Sequence, residues 1–470
     1  MIKYDISIIG LGTMGQNLAR NLAGHGFKVL GWDRNEEKSK TFIKKYGSEN
    51  LSYFENSDCL SEELKSPAKY LILVPAGEPV DEVIQNLKPF LKKGDIVIDG
   101  GNSHYKDTQK RTHDLESMGV HFVGMGISGG EEGALKGPSL MPGGSEESWE
   151  ILKPILEIIA AKDFKGNPCV TYIGENGAGH YVKMVHNGIE YGLMQLMAET
   201  YHLLKNMYQL DNSKITEIFK TFSQGGLKSF LFDITIPILR KKDEFQEGFL
   251  IDYILDKAGQ KGTGMWTSID ALERGIALPS ITMAVFSRNV SSQKEQRNEL
   301  SKTFPRTKPT HLPKLEGIVP GLEKALEAGM ISIYAQGFDL MRQAAQEEGW
   351  NLDLAEITRI WQGGCIIRAD LLKTLHESLK STEEKTHLFA INQIEKILKE
   401  NLESWQTIVS LAFLNGIPIP ALSTSLSYFE EMTTAKLPAN FIQGLRDFFG
   451  AHTYERIDRE GVFHTKWNEM

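Results

Sequence analysis

The stretch Asp5-Ile6-Ser7-Ile8-Ile9-Gly10-Leu11-Gly12-Thr13-Met14-Gly15 decides the fold of this chain. Its first five residues read as a buried strand, its glycines as a tight turn, and Gln16 to Gly24 continues with helical spacing. In that context glycine lets the backbone approach a pyrophosphate, and the helix N-terminus supplies unpaired N–H groups and positive potential. The competing reading is a glycine-rich turn with no ligand. The order of strand, turn and helix favours a dinucleotide site at Gly10, Leu11, Gly12, Thr13, Met14 and Gly15.

Outward from this stretch, short apolar runs at Lys28–Trp32, Lys69–Val74, Asp95–Ile98 and His121–Val123 alternate with longer amphipathic segments. That alternation predicts an α/β, Rossmann-type, doubly wound parallel sheet. Cys169–Gly174 reads as its last strand, and Glu175–Gly179 as a glycine-rich break. Beyond it, Gly188–Asn206, Leu322–Glu348 and Glu383–Gly416 carry period-3.6 apolar spacing, which predicts a large all-α domain. The division expected is 1–178 for the dinucleotide domain, 179–437 for the helical domain and 438–470 for a C-terminal tail. The tail starts as a helix near Phe441–Phe449, and its segment Gly450–Arg456 reads either as a frayed terminus or as an arm reaching a neighbour.

Bulk composition narrows the class. The chain has 470 residues, 41% hydrophobic and 24% charged, an ordinary globular mixture long enough for two or more cores. A net charge of −9, without basic runs or interleaved aromatics, argues against nucleic acid and membrane partners. Cys59, Cys169 and Cys365 are scattered and odd in number, as expected of reduced thiols with no bridge and no metal. With no secretory leader and no apolar span, a cytoplasmic location is expected.

Candidate chemistry sits beyond the strand ends. Asp33-Arg34-Asn35 follows the second strand. A carboxylate there accepts from the ribose hydroxyls of NAD and repels a 2′-phosphate, whereas Arg34 would pair with that phosphate in NADP. Asp99-Gly100-Gly101-Asn102-Ser103 is a tight turn or an amide platform. Ser128-Gly129-Gly130 is an ordinary loop or a clasp for a carboxylate. The richest segment is Lys183-Met184-Val185-His186-Asn187-Gly188-Ile189-Glu190-Tyr191, where Lys183, His186, Asn187, Glu190 and Tyr191 share one helix face. A solvated charged face explains the lysine and the glutamate but not the interleaved Tyr, His and Asn, so the segment reads as an acid–base site. Gly259-Gln260-Lys261-Gly262-Thr263-Gly264 could hold a phosphate, and Arg288, Arg446 and His452 could join it only through tertiary structure.

Taken in order, these segments, with Gly363-Gly364-Cys365-Ile366-Ile367-Arg368 and Phe441–Tyr454, resemble the 6-phosphogluconate dehydrogenase family over essentially the whole chain. The resemblance implies oxidative decarboxylation of a phosphorylated sugar acid, with Lys183 as general base and Glu190 as general acid. It implies substrate contacts at Asn102, Ser128, Gly129, Gly130, His186 and Asn187. Phosphate contacts are implied at Tyr191, Lys261, Thr263, Arg288, Arg446 and His452, the last two from a partner's tail in a homodimer. Cofactor contacts extend to Val74, Pro75, Ala76 and Asn102, with NADP ahead of NAD and no metal. A related β-hydroxyacid dehydrogenase is the alternative. The chain departs from the family pattern at Asp33-Arg34-Asn35 (usually Asn-Arg-Thr), at Pro75 and Met265 (usually lysines), at Ser223–Gly226, and at Gln362 (usually arginine).

Overall fold

A computed structural model describes residues 3–54, 60–306, 309, 312–383 and 386–468; Cys59 lies outside them. Seven strands form one sheet: β1 (Ile6–Ile9), β2 (Val29–Trp32), β3 (Leu51–Tyr53), β4 (Lys69–Ile72), β5 (Ile96–Asp99), β6 (His121–Ser128) and β7 (Ser139–Pro142). Their order is β3-β2-β1-β4-β5-β6-β7, parallel except for β7, which runs against β6. The strands are almost continuously apolar because helices cover both faces, with Ile8, Leu22 and Ile98 in one layer and Ile9, Tyr70 and Val97 in the other. The order reverses between β1 and β4, and ligands of such sheets bind at that crevice.

Two expectations are corrected. Cys169–Gly174 is not a strand. It follows the edge of β7 and bridges it only at Leu140–Val170 and Gly143–Gly174, so the pairing lapses between them. The helix expected over Glu383–Gly416 runs only over Asn392–Leu414, because a separate single turn at Leu388–Ala390 carries the earlier apolar residues into the core.

The helical part is built around two long helices, Ala178–His202 and Leu315–Glu348, that touch through glycine. A Cβ on Gly337 would lie 2.6 Å from the Ile189 side chain. The first of these helices also lies directly on the sheet. A Cβ on Gly179 would stand 2.3 Å from the Gly124 carbonyl oxygen and 2.4 Å from that of Met141, and one on Gly126 would stand 2.5 Å from the Lys183 Cβ. Small residues on both sides therefore let this helix cross the end of the sheet at backbone distance.

A buried polar cluster closes the same joint. The Asp270 carboxylate accepts from Tyr105 (2.7 Å), Tyr181 (2.6 Å) and Arg274 Nε (2.9 Å). Arg274 also donates to Glu348 at 2.7 Å, and Gln109 donates to the same side chain at 2.8 Å. Tyr105 and Gln109 belong to the sheet-flanking helix Tyr105–Glu116, and the others to the helical part.

The tail is a folded unit rather than a frayed end. A helix, Ala439–Gly450, packs on a hairpin of β8 (Tyr454–Glu455) and β9 (Val462–Phe463). Asp447 holds it, accepting from the Thr453 N–H (2.9 Å), His464 (2.9 Å), the Thr465 N–H (3.0 Å) and Trp467 (2.8 Å). Burial opposes its charge, but these donors hold the carboxyl well below the usual range. Phe441, Ile442, Phe448 and Phe449 remain exposed on the helix. Among the described residues no helix is long and apolar enough to cross a membrane.

Gly179→Ala should lower stability by about 3 kcal/mol, since its new methyl meets backbone oxygens that cannot turn aside. Gly24→Ala, which meets nothing within 4 Å, should stay within about 1 kcal/mol of the parent. Thermal melts of the two variants against the parent decide it.

Candidate active site

The chain leaves β1 through Gly10, which has φ +99° and whose Cβ would lie 2.5 Å from the Leu73 carbonyl oxygen. Gly12 then caps the helix Thr13–Gly24 with no side-chain acceptor, no acidic residue in the first turn, and open space where a Cβ would point. Leu11 is buried beneath the turn, Thr13 is exposed, and Met14 is half-buried against the core. Uncapped N–H groups at a positive helix end, under a surface with no side chain over it, suit an anionic pyrophosphate. Across the crevice Val74 packs into the core, and Pro75 and Ala76 are exposed at the rim.

Asp33 does not present a bare carboxylate. It accepts from the Leu11 N–H (2.8 Å), the Asn35 N–H (3.0 Å) and Lys38 Nζ (3.0 Å). Burial would raise its pKa, but these bonds outweigh burial and hold it below the ordinary value. It thus pins the glycine turn to the end of β2, and Lys38 offsets its charge. Asn35 is also committed, its side chain accepting from the Lys38 N–H at 3.2 Å to cap the helix Glu36–Tyr46. Arg34 is exposed and makes no hydrogen bond or ion pair among the described residues.

The Asp99–Ser103 segment is a turn organised on a buried carboxylate. Asp99 accepts from the Gly101 N–H (3.0 Å), Ser103 Oγ (2.6 Å) and Arg111 (3.4 Å). Asn102 stands exposed at its tip, at the carboxyl edge of β5.

The acid–base face is buried. From Ala178 to Ile189 every residue of the helix is inside the protein, which rules out a solvated charged face. Lys183 Nζ lies 3.4 Å from His186 Nδ1, and His186 Nδ1 lies 3.9 Å from a Glu190 oxygen. Burial pulls the Lys183 pKa down against the opposing pull of Glu190. Burial also pushes Glu190 up, against Lys183 and Arg288. His186 is held far below its ordinary value by burial and then by Lys183, so its imidazole is neutral. Asn187 Oδ1 lies 3.0 Å from His186 Nδ1. Ser128, the last residue of β6, places Oγ 3.2 Å from His186 Nε2, and Gly129 and Gly130 turn the chain there. This arrangement combines a lysine made more acidic, a glutamate made more basic and neutral groups that orient both, which is an acid–base pair in a dry site.

A second cluster continues one turn along. The Arg288 guanidinium stacks 3.4 Å over the Tyr191 ring and donates to the Gly259 carbonyl at 3.1 Å. Gly264 lies under the same ring, Thr263 heads the helix Thr263–Glu273, and Lys261 is exposed beside them. The fold thus brings Tyr191, Arg288 and Gly259–Gly264 together with the Lys183 face. It does not bring Arg446 and His452 there. Among the described residues Arg446 bonds Gln443, and His452 packs edge-on against Phe449, both within the tail.

Sequence reasoning gave Cys365 no role. In the fold, its Sγ lies 2.8 Å from His186 Nε2, fully buried, and Trp361 covers the same imidazole edge-on. The pair Gly363-Gly364 was the available signal, since the Gly364 carbonyl accepts the Ser139 N–H at 3.0 Å and draws Cys365 to the end of β6.

Comparison with known proteins agrees over the whole chain. Residues 5–174 match the model described as the NAD binding domain of 6-phosphogluconate dehydrogenase, and 179–467 the model of its C-terminal domain. The chain is 47% identical to the NADP(+)-dependent, decarboxylating 6-phosphogluconate dehydrogenase of Bacillus subtilis, covering 99% of this chain and 100% of that protein. It is 45% identical to the decarboxylating enzyme of Escherichia coli K12, over 99% and 100% of the two chains. Among solved structures, Plasmodium falciparum 6-phosphogluconate dehydrogenase, studied apo and with NADP+ or 6-phosphogluconate, superposes with a TM-score of 0.95. It is 43% identical over 98% of this chain and 100% of that one.

Proposed function

The chain belongs to the 6-phosphogluconate dehydrogenase family, and on that premise we propose that it oxidises 6-phosphogluconate and decarboxylates it to ribulose 5-phosphate in the pentose phosphate pathway. The observation that carries the reading is the buried Lys183–His186–Glu190 face, which touches Ser128 at the carboxyl edge of the sheet from which the dinucleotide turn also departs.

The dinucleotide, held by the Gly10–Gly15 turn with Val74, Pro75, Ala76 and Asn102 at the rim, supplies the hydride acceptor when bound. Lys183, whose ammonium burial disfavours, takes the proton of the substrate 3-hydroxyl. The resulting carbonyl, β to the carboxylate, accepts the electrons released with carbon dioxide, and the protonated Lys183 stabilises the enolate oxygen. Glu190, whose carboxyl burial pushes toward its protonated form, delivers a proton to the enediol carbon. Ser128, Gly129, Gly130, His186, Asn187 and Asn102 orient the carboxylate and hydroxyls, while Tyr191, Lys261, Thr263 and Arg288 receive the phosphate.

NADP is the cofactor this reading favours. Asp33 is neutralised by Lys38 and occupied by backbone donors, so its repulsion of a 2′-phosphate is muted, and exposed Arg34 is available to pair with it. Of the two opposed signals at Asp33 and Arg34, this reading gives the greater weight to Arg34. The exposed apolar face of the tail helix supports a homodimer in which each tail brings Arg446 and His452 to the partner's phosphate site. The reading keeps domains at 1–178, 179–437 and 438–470, and a cytoplasmic location.

Reduced nicotinamide absorbance with trapped carbon dioxide tests the reaction, and equal molar yields are expected. The rate should fall on the acid side as Lys183 takes a proton and on the alkaline side as Glu190 loses one. Lys183→Met should lose about 10²–10⁴-fold in kcat with substrate still bound; near-normal turnover would remove Lys183 from its role. Arg34→Gln should cut kcat/KM with NADP about tenfold or more and leave NAD within about twofold; parallel losses would reject a 2′-phosphate partner. Truncation after Leu437 should yield a chain that binds dinucleotide but has lost phosphate-dependent turnover, read by calorimetry and assay.

A further inference from the structure

His186 is enclosed by groups of opposite hydrogen-bonding character on its two nitrogens. Nε2 faces the Cys365 thiol at 2.8 Å and the Ser128 hydroxyl at 3.2 Å. The Ser128 oxygen also accepts the Ile366 N–H at 3.4 Å, and its hydroxyl can either donate to Nε2 or accept from it. Nδ1 faces Asn187 Oδ1 at 3.0 Å, a Glu190 oxygen at 3.9 Å and Lys183 Nζ at 3.4 Å. A neutral imidazole has one donor and one acceptor nitrogen, so the Cys365 thiol against Nε2 and the nearer Asn187 oxygen against Nδ1 favour the tautomer with its hydrogen on Nδ1.

We propose that Cys365 is a positioning residue: by donating its S–H to His186 Nε2 it holds the ring as the Nδ1–H tautomer, whose hydrogen faces Lys183 and favours the lysine's amine over its ammonium. The proposal rests on the reading of Lys183 as base. Burial keeps Cys365 protonated, pushing its pKa up to about 11, so the thiol remains a donor throughout the working range. The charged or titratable groups facing Lys183 are Glu190 and His186 on its own helix and Cys365 from the Gly363–Arg368 segment; Arg288 stands behind Glu190. An ammonium at Lys183 would meet the Nδ1–H head-on. In the other tautomer it would meet a lone pair and be stabilised.

Without the thiol, Nε2 can carry the hydrogen and donate it to Ser128, which turns the Nδ1 lone pair toward Lys183. Cys365→Ala should therefore move the acid limb of kcat/KM upward by about one pH unit, a tenfold change in proton affinity. Cys365→Ser, which restores a donor of similar reach, should return the limb to its parental position. Nitrogen NMR of the unmodified, ¹⁵N-histidine-labelled protein should find a buried imidazole with the lone-pair shift on Nε2 and the N–H shift on Nδ1; this needs no variant to fold. An unmoved limb in a folded Cys365→Ala, a serine variant that fails to restore it, or a hydrogen on Nε2 would each overturn the proposal. Failure of the underlying reading is distinguishable, because there Lys183→Met would keep turnover while the imidazole tautomer stayed as described.

Discussion

The contact on which the rest depends is the crossing of the Ala178–His202 helix over the end of the sheet. Four glycines, at 124, 126, 143 and 179, remove the side chains that would otherwise hold the two apart. Interiors pack densely and relax little, so a methyl group inserted at that crossing would displace the helix rather than be absorbed. The crossing puts Lys183 behind the last turn of β6, and Ser128 meets His186 for the same reason. The acid–base face and the dinucleotide turn thus keep their register through main-chain contact, not through flexible side chains.

Burial at this point also sets the electrostatics. Lys183 and Glu190 lie on one helix and oppose each other in charge, yet both are driven toward their neutral forms, because removal from water outweighs their attraction. A surface pair at the same spacing would be fully ionised and chemically idle. The deep placement that the glycines permit is therefore what moves both groups toward their neutral forms.

The glycine turn after β1, the parallel sheet and the shared face of Lys183 to Tyr191 were legible because each is a local pattern of fixed period. β3 has three residues and β7 runs antiparallel, so neither carried enough periodicity to be read. Cys169–Gly174 looked like a strand because apolar extended chain looks the same whether its ladder is continuous or bridged at two points. Asp33 was legible by position, but its bond to the Leu11 N–H was not, since it exists only once β1 and β2 are side by side. Cys365 and His186 are 179 residues apart, and no spacing rule connects them. Roles for Arg446 and His452 came from the family resemblance alone, because as single residues in the tail they carry no spacing that links them to the Lys183 face.

The cluster around Asp270 and Arg274 bears on how the molecule can move. Cleft enzymes commonly open by rotating one body against another about a few yielding residues. Here the surface between the bodies holds a buried guanidinium with Asp270 and Glu348 about it and two tyrosine hydroxyls donating to the same aspartate. Parting it would take Tyr105 from Asp270 and Gln109 from Glu348 and break a buried hydrogen-bond network, so the seam resists opening. The chain at Pro75–Ala76 and at Gly259–Lys261 is exposed and takes no part in that seam.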